Sequence, residues 1–170
     1  MAGPFHDAAQ RLLEGLKAGM YQAGLDIMYV SEAEVPVDTA TLKLSARVQE
    51  PIRVGDNIEC EIGYGYGSEL NPKTGQPASS YAVPVHERLD QFHEPPTKAK
   101  FLEDPVYGYA SLYEETIATT MRMTAEGTLS YRLDIGPSDA VRHGGGLGGD
   151  ERRAAIMAAA RGISRADVIV

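Results

Sequence analysis

PFHDAAQRLLEGLKAGMYQAGLDIMYV, residues 4–30, is the stretch on which the fold turns. Phe5, Ala9, Leu12, Leu16, Met20, Ala23, Ile27 and Val30 recur in steps of three and four, which is one apolar stripe along a helix of about seven turns. Pro4 suits the first helical position, where its missing N–H removes no intrahelical bond. Gly15, Gly19 and Gly24 weaken such a helix, each by about 1 kcal/mol relative to alanine. It therefore needs packing from outside itself to persist, either in a core or across a subunit boundary.

Downstream, Pro36 keeps Val35 extended, and Asp38 is placed to cap a short turn over Thr39–Leu44. Ala40, Leu42 and Leu44 cannot share one side, so that turn is wedged between elements or partly exposed. Ala46, Val48, Ile52 and Val54 alternate as a strand, with Pro51 demanding an edge or a bulge. Gly55-Asp56-Asn57 supplies a turn, and Ile58, Cys60, Ile62, Tyr64 and Tyr66 alternate on the way back. Residues 67–80 lack periodicity and read as a long loop, and Tyr81–Val85 reads as a short third strand. A second long helix is signalled by Asp104 as cap, Pro105 in the first turn and Gly127 as stop. Its stripe is Val106, Tyr109, Tyr113, Ile117 and Met121, with Ala110 and Leu112 on the shoulder. Leu129, Tyr131, Leu133 and Ile135 alternate as a final strand.

The expected class is α+β: a small, mostly antiparallel sheet of three or four strands packed by two long helices, with a C-terminal extension. The expected division is a domain over 1–136 and a glycine-tethered arm over 137–170 with a short helix. Ile156, Met157, Val168, Ile169 and Val170 are the arm's apolar residues, and docking on a neighbouring subunit is their expected use.

Composition narrows the function. With 16 Lys and Arg against 24 Asp and Glu the net charge is −8, which opposes wrapping nucleic acid, since phosphate binding needs concentrated cations. No apolar run reaches membrane-spanning length, and the first residues have no basic and apolar secretory pattern. Cys60 is the sole cysteine, so no intrachain disulfide is available, and a reducing cytoplasm is the expected site of assembly. Nine tyrosines and no tryptophan suit surfaces that meet other subunits.

The chemical motifs fail one by one. His86 and His93 lack the spacing of a zinc helix or finger, and on a regular element Glu87 and Glu94 point away from the histidines they follow. HGGGLGG, 143–149, has no Gly-x-Ser-x-Gly elbow to serve, and GYGYGSE, 63–69, has no lysine or following helix to make a phosphate loop. Cys60 falls on the inner face of a strand, as a small hydrophobe. The expectation is a chain without catalytic residues, metal or cofactor. The competing readings are a small metal-dependent hydrolase using His86, Glu87 and His93, and a small cytoplasmic binding protein.

Three segments taken together carry a pattern: VPVDTATLKLSARV (35–48), then a hairpin ending in IGYG (62–65), then YAVPVHERLDQFH…KAKFLEDPV (81–106) ahead of a long helix. In this order they resemble the tail-completion or neck proteins that join head to tail in long-tailed bacteriophages. The resemblance covers residues 5 to 126 approximately and places Pro36, Val37, Asp38, Thr39, Leu42 and Ser45 on one family motif. It places Tyr81, Ala82, Val85, His86 and Glu87 on a second and Lys100, Phe101 and Leu102 on a third. Ala40 stands where the family has glycine, so its backbone is expected to avoid positive φ, and Pro84 suggests that its segment is an edge.

The resemblance implies a structural virion protein, assembled in the host cytoplasm into a homo-oligomeric ring at the neck. Its partners would be the portal-side connector on one face and the tail terminator or tail tube on the other. DNA would pass through the channel without specific binding, and no membrane is involved. Asp56, Glu59, Glu61 and Glu69 are the candidate acids for the channel wall. His86 and Glu87 would be structural polar residues.

Overall fold

The structure is a computed structural model, and it describes residues 3–129. The chain runs α1 (Pro4–Glu34), α2 (Thr41–Leu44), β1 (Arg47–Val48), β2 (Ile52–Val54), β3 (Asn57–Glu59), β4 (Ile62–Gly63), α3 (Ala82–Glu87), α4 (Glu103–Gly108) and α5 (Ala110–Ala125). Helices and antiparallel strand pairs coexist, so the class is α+β. The expected final strand and the arm, with Ile156, Met157, Val168, Ile169 and Val170, lie outside the described residues.

Helix α1 spans the expected length, but its buried face is not the stripe of large residues. Phe5 and Leu12 are 89% and 43% exposed, while Gly15, Ala18, Gly19 and Gln22 are buried. The cause lies in α5, which runs antiparallel to α1. Ile117 faces Gly19, Met121 and Thr124 face Gly15, and α5 then ends at Ala125. Residues 4–14 therefore extend about 16 Å beyond that partner, at about 1.5 Å per residue.

The two glycines that seemed to weaken α1 are what let the helices meet. A Cβ on Gly15 would lie 2.8 Å from Met121 Cα, and one on Gly19 would lie 2.7 Å from Ile117 Cα. Opposite them α5 buries Thr116, Thr120 and Thr124. Each hydroxyl donates to the carbonyl four residues earlier at 2.8 Å, so no polar atom is stranded by the close packing. Below this contact Ala23, Ile27 and Tyr113 form a core cluster with Val106 and Ile117 at its edge.

The strands form one antiparallel ribbon with a bulge. Arg47 pairs with Gly63 and Val48 with Ile62; then Ile52 pairs with Glu59, Arg53 with Ile58 and Val54 with Asn57. Three residues separate Val48 from Ile52 and only two separate Glu59 from Ile62, so the additional residue bulges at Pro51, as its missing donor requires. The base of the ribbon sits on α1 at Gly24, where an added Cβ would meet Val48 Cγ1 at 2.8 Å. The outer part is not half-buried as its alternation predicts: Ile52 and Val54 are 59% and 44% exposed. Cys60 packs beside Tyr21, Met28 and Val48, and burial pushes its thiol up to about 11, in keeping with a hydrophobic role.

Other expectations are corrected locally. Tyr81–Val85 is not a strand; α3 begins at Ala82, and Pro84 sits in its first turn, where the N–H has no helical partner to lose. Its segment is therefore not a sheet edge. The second long helix is two helices broken at Tyr109, with Leu102 rather than Asp104 at the first N-terminus. Asp104 instead pairs with Lys98 at 2.9 Å. Gly127 ends α5 as expected, at φ 72°, and Thr128 N–H closes back on the Met123 carbonyl at 3.0 Å.

Asp38 does not cap α2; it pairs with Lys73 across the surface. The N-cap is Ala40, whose φ of 62° is the left-handed value the sequence was expected to avoid. The turn into α2 imposes it, because the Ala40 carbonyl accepts from Leu44 N–H at 2.8 Å. An alanine in this conformation carries about 1–2 kcal/mol of strain, part of which glycine's looser unfolded chain offsets. Ala40→Gly is expected to raise the unfolding free energy by up to about 1 kcal/mol, read as a higher urea midpoint at unchanged slope. A lower midpoint would mean that the turn is not left-handed.

Candidate functional site

The segment 97–102 threads between the end of α1 and α3, pinned by backbone bonds from Lys98 N–H to the Glu34 carbonyl (2.9 Å) and Lys100 N–H to the His86 carbonyl (2.8 Å). Phe101, 1% exposed, plugs the core formed by Val35, Leu42, Ala78 and Ala82, with Tyr64, Tyr81, Val85 and Leu102 around it. Its ring meets Tyr64 edge-on at 5.1 Å and His86 at 4.9 Å. The three sequence segments singled out above, more than sixty residues apart end to end, thus close on one aromatic ring. Ser45 joins the ribbon to them: its hydroxyl donates to the Leu42 carbonyl at 2.6 Å and accepts from Gly65 N–H at 2.9 Å.

Over this core lies a polar cluster. Lys100 Nζ reaches Glu87 Oε2 at 2.6 Å and Glu103 Oε2 at 2.7 Å. His86 Nδ1 lies 2.8 Å from Glu87 Oε1, and His86 Nε2 accepts from Glu103 N–H at 3.3 Å. Since Nε2 accepts, the ring proton sits on Nδ1 and is donated to Glu87. The expectation that Glu87 points away from His86 is corrected: at the last turn of α3 the carboxylate folds back over the ring. Lys100 holds a φ of 57°, uncommon for a residue with a side chain and a sign that the surroundings hold the backbone there.

His86, Glu87 and Glu103 place ligand-type atoms within 4.8 Å of one another. Two observations argue against a cation there. The ammonium of Lys100 already bridges both carboxylates, and both imidazole nitrogens are engaged. His93 does not join the group; it lines a separate cleft. Glu103 was not anticipated from the sequence, although it follows Lys100 at the i,i+3 spacing that favours such a pair.

The cluster's charges carry a testable pH signature. Lys100 first and His86 second hold the Glu87 carboxyl below its ordinary 4.5. Glu103 and Glu87 push the Lys100 ammonium from 10.5 up to about 12. The lowered acid contributes stability above pH 4.5 that fades as pH falls through its folded value, and the raised lysine contributes stability below pH 10.5 that fades towards about 12. Lys100→Met is therefore expected to lower the urea midpoint between those limits, with the gap closing in acid and shrinking in high salt. A gap undiminished at pH about 3 would assign the effect to the lysine's stem instead.

Nearby, Lys98 bridges Glu34 (3.0 Å) and Asp104 (2.9 Å), fastening α1 to α4. Burial raises Glu34 despite that lysine. Burial alone would lower Lys98, but the two carboxylates outweigh it and its value is raised.

The second feature is a cleft of about 620 Å³ on the other side of α2. Pro36, Val37, Asp38, Thr39 and Leu42 line one wall; Tyr81, Val85 and residues 91–97 line the other. Phe92 stands at its rim, 89% exposed. Tyr81 Oη and His93 Nε2 are buried atoms with no hydrogen-bond partner among the described residues. Leaving such an atom unsatisfied costs about 1–3 kcal/mol, which a ligand or a partner chain would relieve.

Asp56, Glu59, Glu61 and Glu69 are all exposed, the first three on the ribbon and the last in the loop that follows. Asp56 lies 3.7 Å from Arg53, and Glu61 accepts from the Tyr66 hydroxyl. No helix of the described residues is long and apolar enough to cross a membrane. Comparison of the chain with protein-family models, curated proteins and solved structures returns no match.

Proposed function

We propose that the chain is a structural protein of a tailed-phage virion that forms a ring at the neck, joining the portal-side connector to the tail around a channel for DNA. The observation that carries this reading is the convergence on Phe101 of the three segments whose order resembles the neck family. Residues held by a family for catalysis would meet at an open reactive surface. These meet in a core, and the polar members above it satisfy one another. His86, Glu87 and Lys100 then act as a clasp that fixes α3 against the 97–102 segment. The exposed acids fit a channel wall that repels the phosphate backbone, and Glu61 and Glu69 are the two assigned to it here.

The test is genetic and visual. A phage lacking this chain is expected to accumulate filled heads and finished tails that do not join, with joining restored when the chain is supplied. Electron microscopy of restored particles carrying a labelled chain should place the label at the neck. In such particles Glu61→Lys with Glu69→Lys should slow DNA exit. Normal joined particles without the chain would overturn the reading.

A further inference from the structure

The β2–β3 part of the ribbon is unfinished as it stands. An isolated two-stranded ribbon is marginal in water. This one makes a two-stranded sheet with both outer edges unpaired among the described residues. Residues opposite each other across an antiparallel pair share a face, so Ile52, Val54, Asn57 and Glu59 form one side of it. That side offers two exposed apolar side chains and, directly beside Ile52, a carboxylate.

The cleft is unfinished in the complementary sense. Its walls offer apolar surface from Val37, Leu42, Val85 and Phe92. Its unpartnered polar atoms are a phenol, which can donate, and an imidazole nitrogen, which donates in one tautomer. Both suit an anionic acceptor, and the cleft's Asp38 is already neutralised by Lys73. No ribbon residue lines the cleft of its own chain.

Resting on the neck reading above, we infer that the β2–β3 ribbon of one copy docks in the cleft of the next, with Ile52 and Val54 against the apolar walls and Glu59 accepting from Tyr81 and His93. The contact is head to tail: each copy gives a ribbon and receives one, which is the kind of interface that closes into a ring. It takes Glu59 and Asp56 out of the set of channel acids.

The experiment uses the full chain with a photoreactive phenylalanine analogue in place of Phe92, irradiated after assembly and mapped by mass spectrometry. Capture of residues 52–59 from a second copy is expected. Capture of residues 130–170, of another protein, or of nothing in an assembled ring overturns the inference. A mixing test gives a second reading. Ile52→Asp with Val54→Asp, and separately Phe92→Asp, should each abolish rings, whereas the two variants mixed should give dimers held by the one intact contact. Rings formed by the ribbon variant sink this inference and leave the neck reading standing. An unmodified chain that assembles neither alone nor in particles sinks the neck reading itself.

Discussion

Gly19→Ala is expected to lower the unfolding free energy by about 1–3 kcal/mol, although alanine is the better helix former by about 1 kcal/mol. The new Cβ would stand 2.7 Å from Ile117 Cα and 3.1 Å from the Ile117 carbonyl oxygen. Both are backbone atoms, so no side chain can swing away, and α1 and α5 must separate instead. Separation unseats Thr116 and Thr120, whose short side chains are buried because the axes are close. Gly19→Leu should cost more, and Gly15→Ala, with Met121 Cα at 2.8 Å, should behave like Gly19→Ala. Gly108→Ala is the control: it is helical, and nothing lies within 4 Å of its added Cβ. It should hold or raise the urea midpoint. If Gly19→Ala proved as stable as Gly108→Ala, the two helices would not be in backbone contact.

That contact also explains which parts of the fold were legible in the sequence. The existence of α1 follows from Pro4 and the three-and-four spacing. Its buried face does not, because spacing rewards large apolar residues, and this helix buries its small ones. Glycine counted as a weakness and threonine as a polar residue, yet Gly15 and Gly19 against Thr120 and Thr124 form the tightest contact in the fold. The bulge at Pro51 was legible because proline lacks a donor wherever it stands. The helix at Ala82–Glu87 was not, since a proline in a six-residue apolar stretch fits a first helical turn as well as a strand edge. Ala40 shows a third case, in which a hydrogen-bonded turn overrides the preference of its residue.

The site was legible in its members and illegible in its geometry. His86, Glu87 and Lys100 were singled out from sequence, but only the return of residue 100 to the end of α3 shows that they form a clasp. The cleft had no sequence signal at all. Val37, Tyr81 and His93 are far apart in the chain, and their two unpaired polar atoms are a property of burial.

Phe101→Ala is expected to cost about 3–5 kcal/mol, a large share of the 5–15 kcal/mol typical of a domain. The ring is 1% exposed, so its removal leaves a cavity in addition to the lost transfer energy. Its edge contacts with Tyr64 and His86 add about 0.5–1.5 kcal/mol each beyond burial. No neighbour can fill the space, because Val35, Leu42 and Ala82 come from separate segments that the ring itself holds together. Phe101→Leu keeps apolar bulk and should lose much less. The alanine variant also separates two kinds of damage. Leu42, Tyr81 and Val85 belong both to the core around Phe101 and to the cleft wall, so loosening the core deforms the cleft. At a temperature where Phe101→Ala remains folded, assembly should therefore fall with it, whereas Lys100→Met, which disturbs only the clasp above the ring, should spare assembly while moving the urea midpoint. A Phe101→Ala loss below about 1 kcal/mol would mean that the three segments are held by something other than this ring.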